Sequence, residues 1–494
     1  MIWFRRFIWC VAVFGWLIAI LAALIMDQSP GLITAMVIGA ILTWIGVFVV
    51  IAWWLGILRQ AKRHLQFHPR DAELLEHRVS HRAKIDVLRA LQDVCEKTDG
   101  SQFGFQAAYV NMQQRVLANP EPEKLEWQSY QTDVDDWSDV AANACFFLTF
   151  DSIRFIAAVI DDTAHRYHHQ FGEETEENSP DGRIKLSILA ATREECRDAR
   201  DALLAHADEC SVYRGRQLIV RPGERRTEPV RVEFTNVRTV DRDSIVLPDQ
   251  VFDVIDRAAI RQMDVGNVLK NAGHRTRTAL LMHGPPGTGK TLLTRHVMGL
   301  RDDITTIMLH GFRRGLVREA FRLARYCQPS IVVIEDVDLI AVRRRRNARG
   351  TTALHELMDE LDGLAPESRT VVIMTTNRPD VLEPALASRP GRVSQAIEVP
   401  LPDAESRRRI LELFTSRLDV SRADFAKWVD RTDGASPAFL EELIRRSILF
   451  ATESENDGVG EKINLTDDNL EAAINEILTS GGSLTQKLLG YATP

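Results

Sequence analysis

The sequence predicts an α/β P-loop domain preceded by a small α+β domain and two transmembrane helices, and three stretches carry that prediction. The run Gly284-Pro285-Pro286-Gly287-Thr288-Gly289-Lys290-Thr291 fits G-x-x-x-x-G-K-[ST] and follows the apolar run Ala279-Leu280-Leu281-Met282. Residues 7–26 and 32–58 carry no charge. Between these regions, Phe146, Leu148 and Phe150, then Ile153, Phe155 and Ala157, alternate as half-buried strands do.

The two uncharged runs are each at least as long as the roughly 20 residues a bilayer core requires, and the polar turn Asp27-Gln28-Ser29-Pro30-Gly31 joins them. Arg5 and Arg6 precede the first, and Arg59, Lys62, Arg63 and Arg70 follow the second, which places both chain ends in the cytoplasm. No small-residue cleavage site follows Met26, so a removed signal peptide does not account for the first run. Residues 1–62 are therefore expected to be a hairpin in contact with membrane lipid, and a bacterial inner membrane suits its basic flanks.

At 494 residues and a net charge of −8, the chain holds more than one domain and gives no global reason to expect a nucleic-acid partner. Cys10, Cys95, Cys145, Cys196, Cys210 and Cys327 are scattered without a C-x-x-C pair, which fits reduced thiols better than a disulfide framework or a zinc site.

Leu74, Leu75, Val79, Ile85, Leu88, Leu91 and Val94 recur at helical spacing, so residues 63–99 are expected to form an amphipathic helical linker. Residues 100–244 are expected to form the α+β domain, with strands at 146–150, 153–157, 184–188, 217–220 and 230–234 and a helix over 192–209. His165, His168 and His169 stand before Glu173, Glu174, Glu176 and Glu177, but without a rigid ligand spacing this stretch reads as a solvated loop rather than a metal site. Nothing in residues 100–244 announces chemistry, and their position suggests a substrate-facing or adaptor role.

In the run 284–291, glycines let backbone N–H groups approach a phosphate and the following helix adds a positive dipole end. Lys290 is placed for the β- and γ-phosphates and Thr291 for Mg²⁺. The apolar run Ile331-Val332-Val333-Ile334 ends in Glu335-Asp336-Val337-Asp338, which delivers carboxylates from a buried strand. One carboxylate, Glu335, is expected to hold the metal and its neighbour Asp336 to polarise the attacking water. A further apolar strand, 371–374, delivers Thr375, Thr376 and Asn377 to the same edge. Ser388-Arg389-Pro390-Gly391-Arg392 puts two arginines on a short turn with no obvious acid partner nearby in sequence. Chemistry alone leaves them as surface residues or as stabilisers of phosphoryl charge.

These motifs, with Leu357-Met358-Asp359-Glu360-Leu361-Asp362-Gly363 and Ile397-Glu398-Val399-Pro400-Leu401-Pro402-Asp403, resemble the AAA family of ATPases over about residues 245–480. The resemblance implies an α/β nucleotide subdomain over 245–403, a helical lid over 404–494, and ring assembly, usually of six, with ATP at subunit boundaries. It implies that Lys290 and Thr291 meet phosphate and Mg²⁺ and that Asn377 is a sensor of the γ-phosphate. It further implies that Arg389 and Arg392 act on the neighbouring subunit and that Gly434 and Ala435 pack near adenine.

Three departures qualify the likeness. The family writes its acidic pair Asp-Glu, whereas Glu335 and Asp336 stand in the reverse order, with Asp338 fixing the register; this order is similar to that of the mitochondrial AAA group that translocates a Rieske protein. The segment His310-Gly311-Phe312-Arg313-Arg314-Gly315 is short for a pore loop, so Phe312 is either a substrate-gripping aromatic or part of a plain turn. An amino-terminal membrane hairpin resembles the membrane AAA proteases, yet no H-E-x-x-H occurs and His355-Glu356 lacks its second histidine, which excludes a zinc protease.

The expectation is a membrane-anchored ATPase, Mg²⁺-dependent, whose homo-oligomeric ring remodels or translocates a protein substrate on the cytoplasmic side. The alternative is an ATP-gated assembly switch with slow or no turnover and no threading.

Overall fold

The computed structural model describes residues 56–80, 83–104, 111–118, 123–142, 144–161, 183–222, 230–311, 315–339, 351–380, 382, 392–454 and 463–480. The expected spans 7–26 and 32–55, the histidine-rich loop, Phe312, the basic run 343–346, Arg389 and the terminal helix at 483–491 lie outside these residues. Among the described residues, no helix is long and apolar enough to cross a membrane. The second span was expected to run to Leu58. Gly56, however, is extended (φ −65°, ψ 151°) and caps a new helix, α1 (Ile57–Leu65), whose Ile57, Ala61 and Leu65 are buried.

The chain forms two units, residues 1–130 with 138–211 and residues 131–137 with 212–494. In the first unit α1 is followed by β1 (Glu73–Ser80), α2 (Lys84–Lys97), β2 (Ser101–Gly104) and α3 (Met112–Leu117). Then come β3 (Glu126–Gln131), β4 (Trp137–Ala142), β5 (Ala144–Phe150), β6 (Ile153–Asp161), β7 (Arg183–Ala190) and α4 (Arg193–Glu209). The antiparallel sheet runs β1-β7-β6-β5-β2, and among the described residues β3 and β4 pair with each other alone.

Two expectations change here. Leu74, Leu75 and Val79 lie on β1, which pairs along its length with β7, so the linker helix begins only at Lys84. Their apolar spacing also suits a strand, and tertiary pairing decided between the two readings. Second, β5 is buried on both faces rather than one. Cys145 and Phe147 pack with Ile57, Ala61 and Met112 of α1 and α3, whereas α2 packs on β5, and α4 on β1 and β7. The start of α4 follows its sequence signal: Thr192 accepts from Glu195 N at 3.1 Å, and Glu195 reaches back to Ala191 N at 3.1 Å.

The second unit opens with β8 (Gln217–Arg221) and β9 (Arg231–Phe234), both expected in the preceding domain. They instead extend the nucleotide sheet, so the boundary expected at 244/245 falls at 211/212. The reason is hydrogen bonding: β8 lies parallel to β11, Thr306–Leu309 facing Gln217–Val220, and no alternation in sequence tells which sheet an edge strand will join.

After α5 (Asp249–Ile255), a π-helical turn (Asp256–Arg261) and α6 (Gly266–Asn271) come β10 (Thr278–His283), α7 (Lys290–Met298) and β11 (Thr305–Leu309). They are followed by α8 (Leu316–Tyr326), β12 (Ser330–Ile334), α9 (Thr351–Asp362), β13 (Thr370–Thr376) and β14 (Gln395–Glu398). The sheet order is β14-β10-β13-β12-β11-β8-β9, parallel except for β9. Strands buried on both faces read as continuous apolar runs, which is why β12 and β13 are wholly buried. The chain passes from β10 to β11 by α7, leaving room for β13 and β12 between them. This crossover brings the carboxyl ends of β10, β13 and β12 side by side, where open α/β sheets bind ligands.

The lid consists of α10 (Ala404–Thr415), β15 (Asp419–Arg422), α11 (Phe425–Arg431), α12 (Pro437–Ser454), β16 (Asn464–Thr466) and α13 (Asp467–Ser480). Its own core includes Trp428, Phe439 and Leu443, and Trp428 Nε1 donates to Asp467 Oδ1 at 2.7 Å, tying α11 to the first turn of α13.

Candidate nucleotide site

The phosphate loop is shaped by positions where only glycine fits. Gly287 has φ +74°, and a Cβ there would stand 2.8 Å from both Ala438 Cβ and Ser436 Oγ of the lid. Gly284 abuts Val399, whose carbonyl oxygen would lie 2.2 Å from an added Cβ. Gly289, at φ +95°, hands the chain to α7. Gly287 O accepts from Ala438 N at 3.2 Å, so the loop is hydrogen-bonded to the start of α12.

Lys290 is 6% exposed and folds back on the loop, donating to Pro285 O at 2.7 Å and Gly284 O at 3.0 Å. Burial pushes its ammonium down to about 8, against the opposing pull of Asp336 and Asp338. A buried cation held by two loop carbonyls and, at 3.5 Å, the Thr288 hydroxyl, beside an open cavity, is ready to exchange those dipoles for a phosphate. Thr291 is exposed on the first turn of α7 and lines the same cavity.

At the end of β12 the chain turns sharply, with Asp336 at φ +49°. Its N–H donates to Thr375 Oγ1 at 3.1 Å, and its Oδ1 accepts from Asn377 Nδ2 at 3.3 Å. A non-glycine residue in the left-handed region costs of order 1–3 kcal/mol and persists where the surroundings over-determine it. Asp338 is the fixing element: it is buried and accepts from Thr376 Oγ1 at 2.8 Å and Asn377 N at 3.4 Å. The last turn of the acidic segment thereby sets where the Asn377 amide sits.

The structure thus brings Pro286, Gly287, Thr288, Gly289, Lys290, Thr291, Asp336 and Asn377 around one cavity of about 550 Å³, while Gly284 and Pro285 shape it from behind. Glu335 does not line it. Its Oε1 is buried and has no hydrogen-bond partner among the described residues, a state that a cation would relieve. Carboxylate and hydroxyl oxygens are the hard donors Mg²⁺ takes, so Thr291 and Glu335 fit that ion.

Ala435 is fully buried within the lid and Gly434, at φ +71°, makes the turn before α12, whose first residues Pro437 and Ala438 line the cavity. The apolar wall comes from Ile245, Val246, Ile410, Leu413 and Phe414, with Ala438 beside the loop. The periodic apolar face of α10 carried that signal, though it reads equally well as lid core. Arg392, which has no acid nearby in sequence, is 7% exposed and paired with the distant Asp362, its Nη2 2.6 Å from Oδ2. A guanidinium so buried needs a counter-charge, and the end of α9 supplies it from 30 residues away.

Glu356, the acid of the incomplete zinc motif, is buried and accepts from Gly315 N at 3.1 Å and Arg318 N at 3.0 Å. It caps α8.

The model of the ATPase family associated with various cellular activities (AAA) matches residues 280–401. The chain is 30% identical over 273 residues to the proteasome-activating nucleotidase of Thermococcus onnurineus, covering 48% of this chain and 66% of that protein. It is 33% identical over 253 residues to that of Methanopyrus kandleri, with 48% and 58% covered. It is 32% identical over 246 residues to the ATP-dependent zinc metalloprotease FtsH of Mesoplasma florum, with 47% and 36% covered. The chain spans about a third to two thirds of the length of these relatives. A phosphate loop, an acidic strand end and an amide-bearing strand converging on one cavity, in a segment matching that family, show that this chain carries an AAA ATPase domain.

Proposed function

We propose that the chain is a membrane-anchored, ring-forming AAA ATPase that remodels or translocates a protein substrate on the cytoplasmic side, with ATP held at subunit boundaries. The observation that carries the reading is the single cavity in which Lys290, Thr291, Asp336 and Asn377 face one another under the lid. Lys290 takes the β- and γ-phosphates, and the backbone N–H groups of residues 287–291 cradle them. Thr291 and Glu335 would hold Mg²⁺, which would supply neutralisation of the phosphate charge. Asp336 accepts the proton of the attacking water, and Asn377, hydrogen-bonded to Asp336, orients that water against the γ-phosphate. Arg389 and Arg392 bring positive charge to a neighbour's nucleotide, so turnover depends on assembly.

The relatives' names support protein substrates: one activates a proteasome and one is a protease. The chain's own H-E-x-x-H is absent, so remodelling or movement rather than cleavage is the reading. Of the residues 100–244 expected as a separate domain, those of the first unit, up to 211, are proposed to receive the substrate or an adaptor.

A second reading, an ATP-gated switch with slow turnover, is favoured by the reversed pair Glu335-Asp336, which sets the water-facing carboxylate one methylene short. Extraction of a membrane-inserted substrate from vesicles by the full-length protein, beside Lys290→Ala and Phe312→Ala, separates the two. Loss in both variants, with ATPase retained in Phe312→Ala, supports remodelling by threading; ATP-dependent assembly with no extraction by the unmodified protein supports the switch.

A further inference from the structure

Three side chains line up across two helices of the first unit, outside every nucleotide motif. His206 lies on α4, and its Nε2 stands 2.5 Å from Asp93 Oδ2 of α2. Its other ring nitrogen, Nδ1, faces Cys210 Sγ at 3.9 Å. Cys210 closes α4, its N–H donating to His206 O at 3.0 Å, so one helical turn sets the thiol beside the imidazole.

The place of each proton follows from the donors. Lys97 Nζ, 2.7 Å from Asp93 Oδ2, and then His206 hold the Asp93 carboxyl below its ordinary range, while desolvation opposes them. Asp93 is therefore a carboxylate and only accepts. His206 carries its proton on Nε2 and turns the Nδ1 lone pair to the sulfur, so the S–H donates to it. A thiol becomes a strong nucleophile on losing that proton. The carbonyl end of α4 disfavours an anion at position 210. Two cations offset it, the imidazolium that the transfer creates and the Lys97 ammonium, which stands within electrostatic reach of Cys210.

Exposure separates this thiol from the others. Cys95, Cys145, Cys196 and Cys327 are buried and Cys210 is exposed. Burial pushes the thiols of Cys95, Cys145 and Cys196 up, which keeps them protonated and inert. Among the described residues no group of three such donors is placed to hold a metal, so the line of carboxylate, imidazole and thiol serves proton transfer rather than ligation.

We propose that Cys210 is a modification site oxidised by hydroperoxides, with His206 taking and returning the proton and Asp93 positioning His206. The thiol proton passes to His206 Nδ1, and the sulfur attacks the terminal oxygen of the hydroperoxide. An S–O bond forms as the O–O bond breaks, the sulfur gives up two electrons, and the departing oxygen takes the proton from Nδ1. The products are a sulfenic acid and an alcohol, or water where the reagent is hydrogen peroxide. Among the described residues no other cysteine is exposed, so an external thiol is needed to reduce the sulfenic acid.

The test treats the reduced full-length protein with hydrogen peroxide at neutral pH, traps sulfenic acid with a cyclic diketone and locates the label by peptide mass spectrometry. The label should fall on Cys210, at a rate at least tenfold above that of free glutathione and at least tenfold above that of His206→Gln. Asp93→Asn, at a partly exposed position where the fold is a smaller concern, should slow the reaction as well. Iodoacetamide separates proton transfer from access, because iodide leaves without a proton. His206→Gln should therefore slow peroxide more than iodoacetamide. Equal slowing of the two reagents would make His206 a determinant of access alone and overturn the proposal. Labelling of Cys210 no faster than glutathione, or unchanged in both variants, would overturn it too. None of these outcomes depends on ATP or on ring assembly.

Discussion

Lys290 gives the account its most quantitative test. Without ligand its ammonium is buried on loop carbonyls and titrates near 8 instead of 10.5. A bound phosphate supplies the opposite charge and raises it again. Binding therefore requires a proton on Lys290, which the free protein holds below about pH 8 and loses above it. Between pH 7.5 and 9.5 the affinity should fall about 25-fold, approaching tenfold, or 1.36 kcal/mol, per pH unit at the upper end. Folding stability of the free protein runs the other way. Because the folded value is depressed, the contribution of Lys290 is present in full above about 10.5 and is lost as pH falls through about 8. Titration of a fluorescent, non-hydrolysable ATP analogue in Mg²⁺ across that range reads the affinity, with Lys290→Arg as the variant that does not titrate. A flat profile in the unmodified protein, or the same slope in Lys290→Arg, would refute the reasoning.

Other sites yield sharper yes-or-no outcomes. Gly287→Ala must fit a Cβ within 2.8 Å of Ala438 and Ser436 at a positive φ, so it should destabilise the loop and lid by about 1–3 kcal/mol and abolish nucleotide binding; binding within twofold of the unmodified protein would count against the packing described. Asp338→Ala leaves Thr376 Oγ1 and Asn377 N without their acceptor and should cost about 1–3 kcal/mol on thermal unfolding, with ATPase reduced more than nucleotide affinity. Glu356→Ala removes the cap of α8 and should lower stability by about 0.5–2 kcal/mol without changing nucleotide affinity at the cavity; a loss of affinity would mean that α8 is coupled to the site. Trp428→Phe deletes the donor to Asp467 and should cost about 1–2 kcal/mol, read as a lower melting temperature.

Local chemistry in the sequence was enough to place the phosphate loop, the apolar strand ending in Glu335-Asp336 and the strand ending in Asn377. Each is a short stretch whose residue types are dictated by a single requirement, close backbone approach or burial on both faces. What the sequence concealed depends on partners far along the chain. The spacing of Leu74, Leu75 and Val79 satisfied a helix, and pairing with β7, over a hundred residues later, made a strand. β8 and β9 carried no mark of the sheet they would join. Arg392 showed no acid within its own turn, and its partner Asp362 stands at the end of α9. The apolar wall of the cavity was illegible for a related reason: Ile410, Leu413 and Phe414 satisfy the helical period of a lid core, and only the folded chain tells which of them face the phosphate loop.

The central claim is that this cavity hydrolyses ATP with Asp336 as the water-activating carboxylate. The direct measurement is steady-state ATP hydrolysis by the full-length protein and its Asp336→Asn variant, with nucleotide affinity measured on both. The account predicts turnover in the unmodified protein, a loss of at least a hundredfold in Asp336→Asn and affinity preserved within about threefold. Turnover retained in Asp336→Asn would contradict it, as would tight binding with no turnover by the unmodified protein.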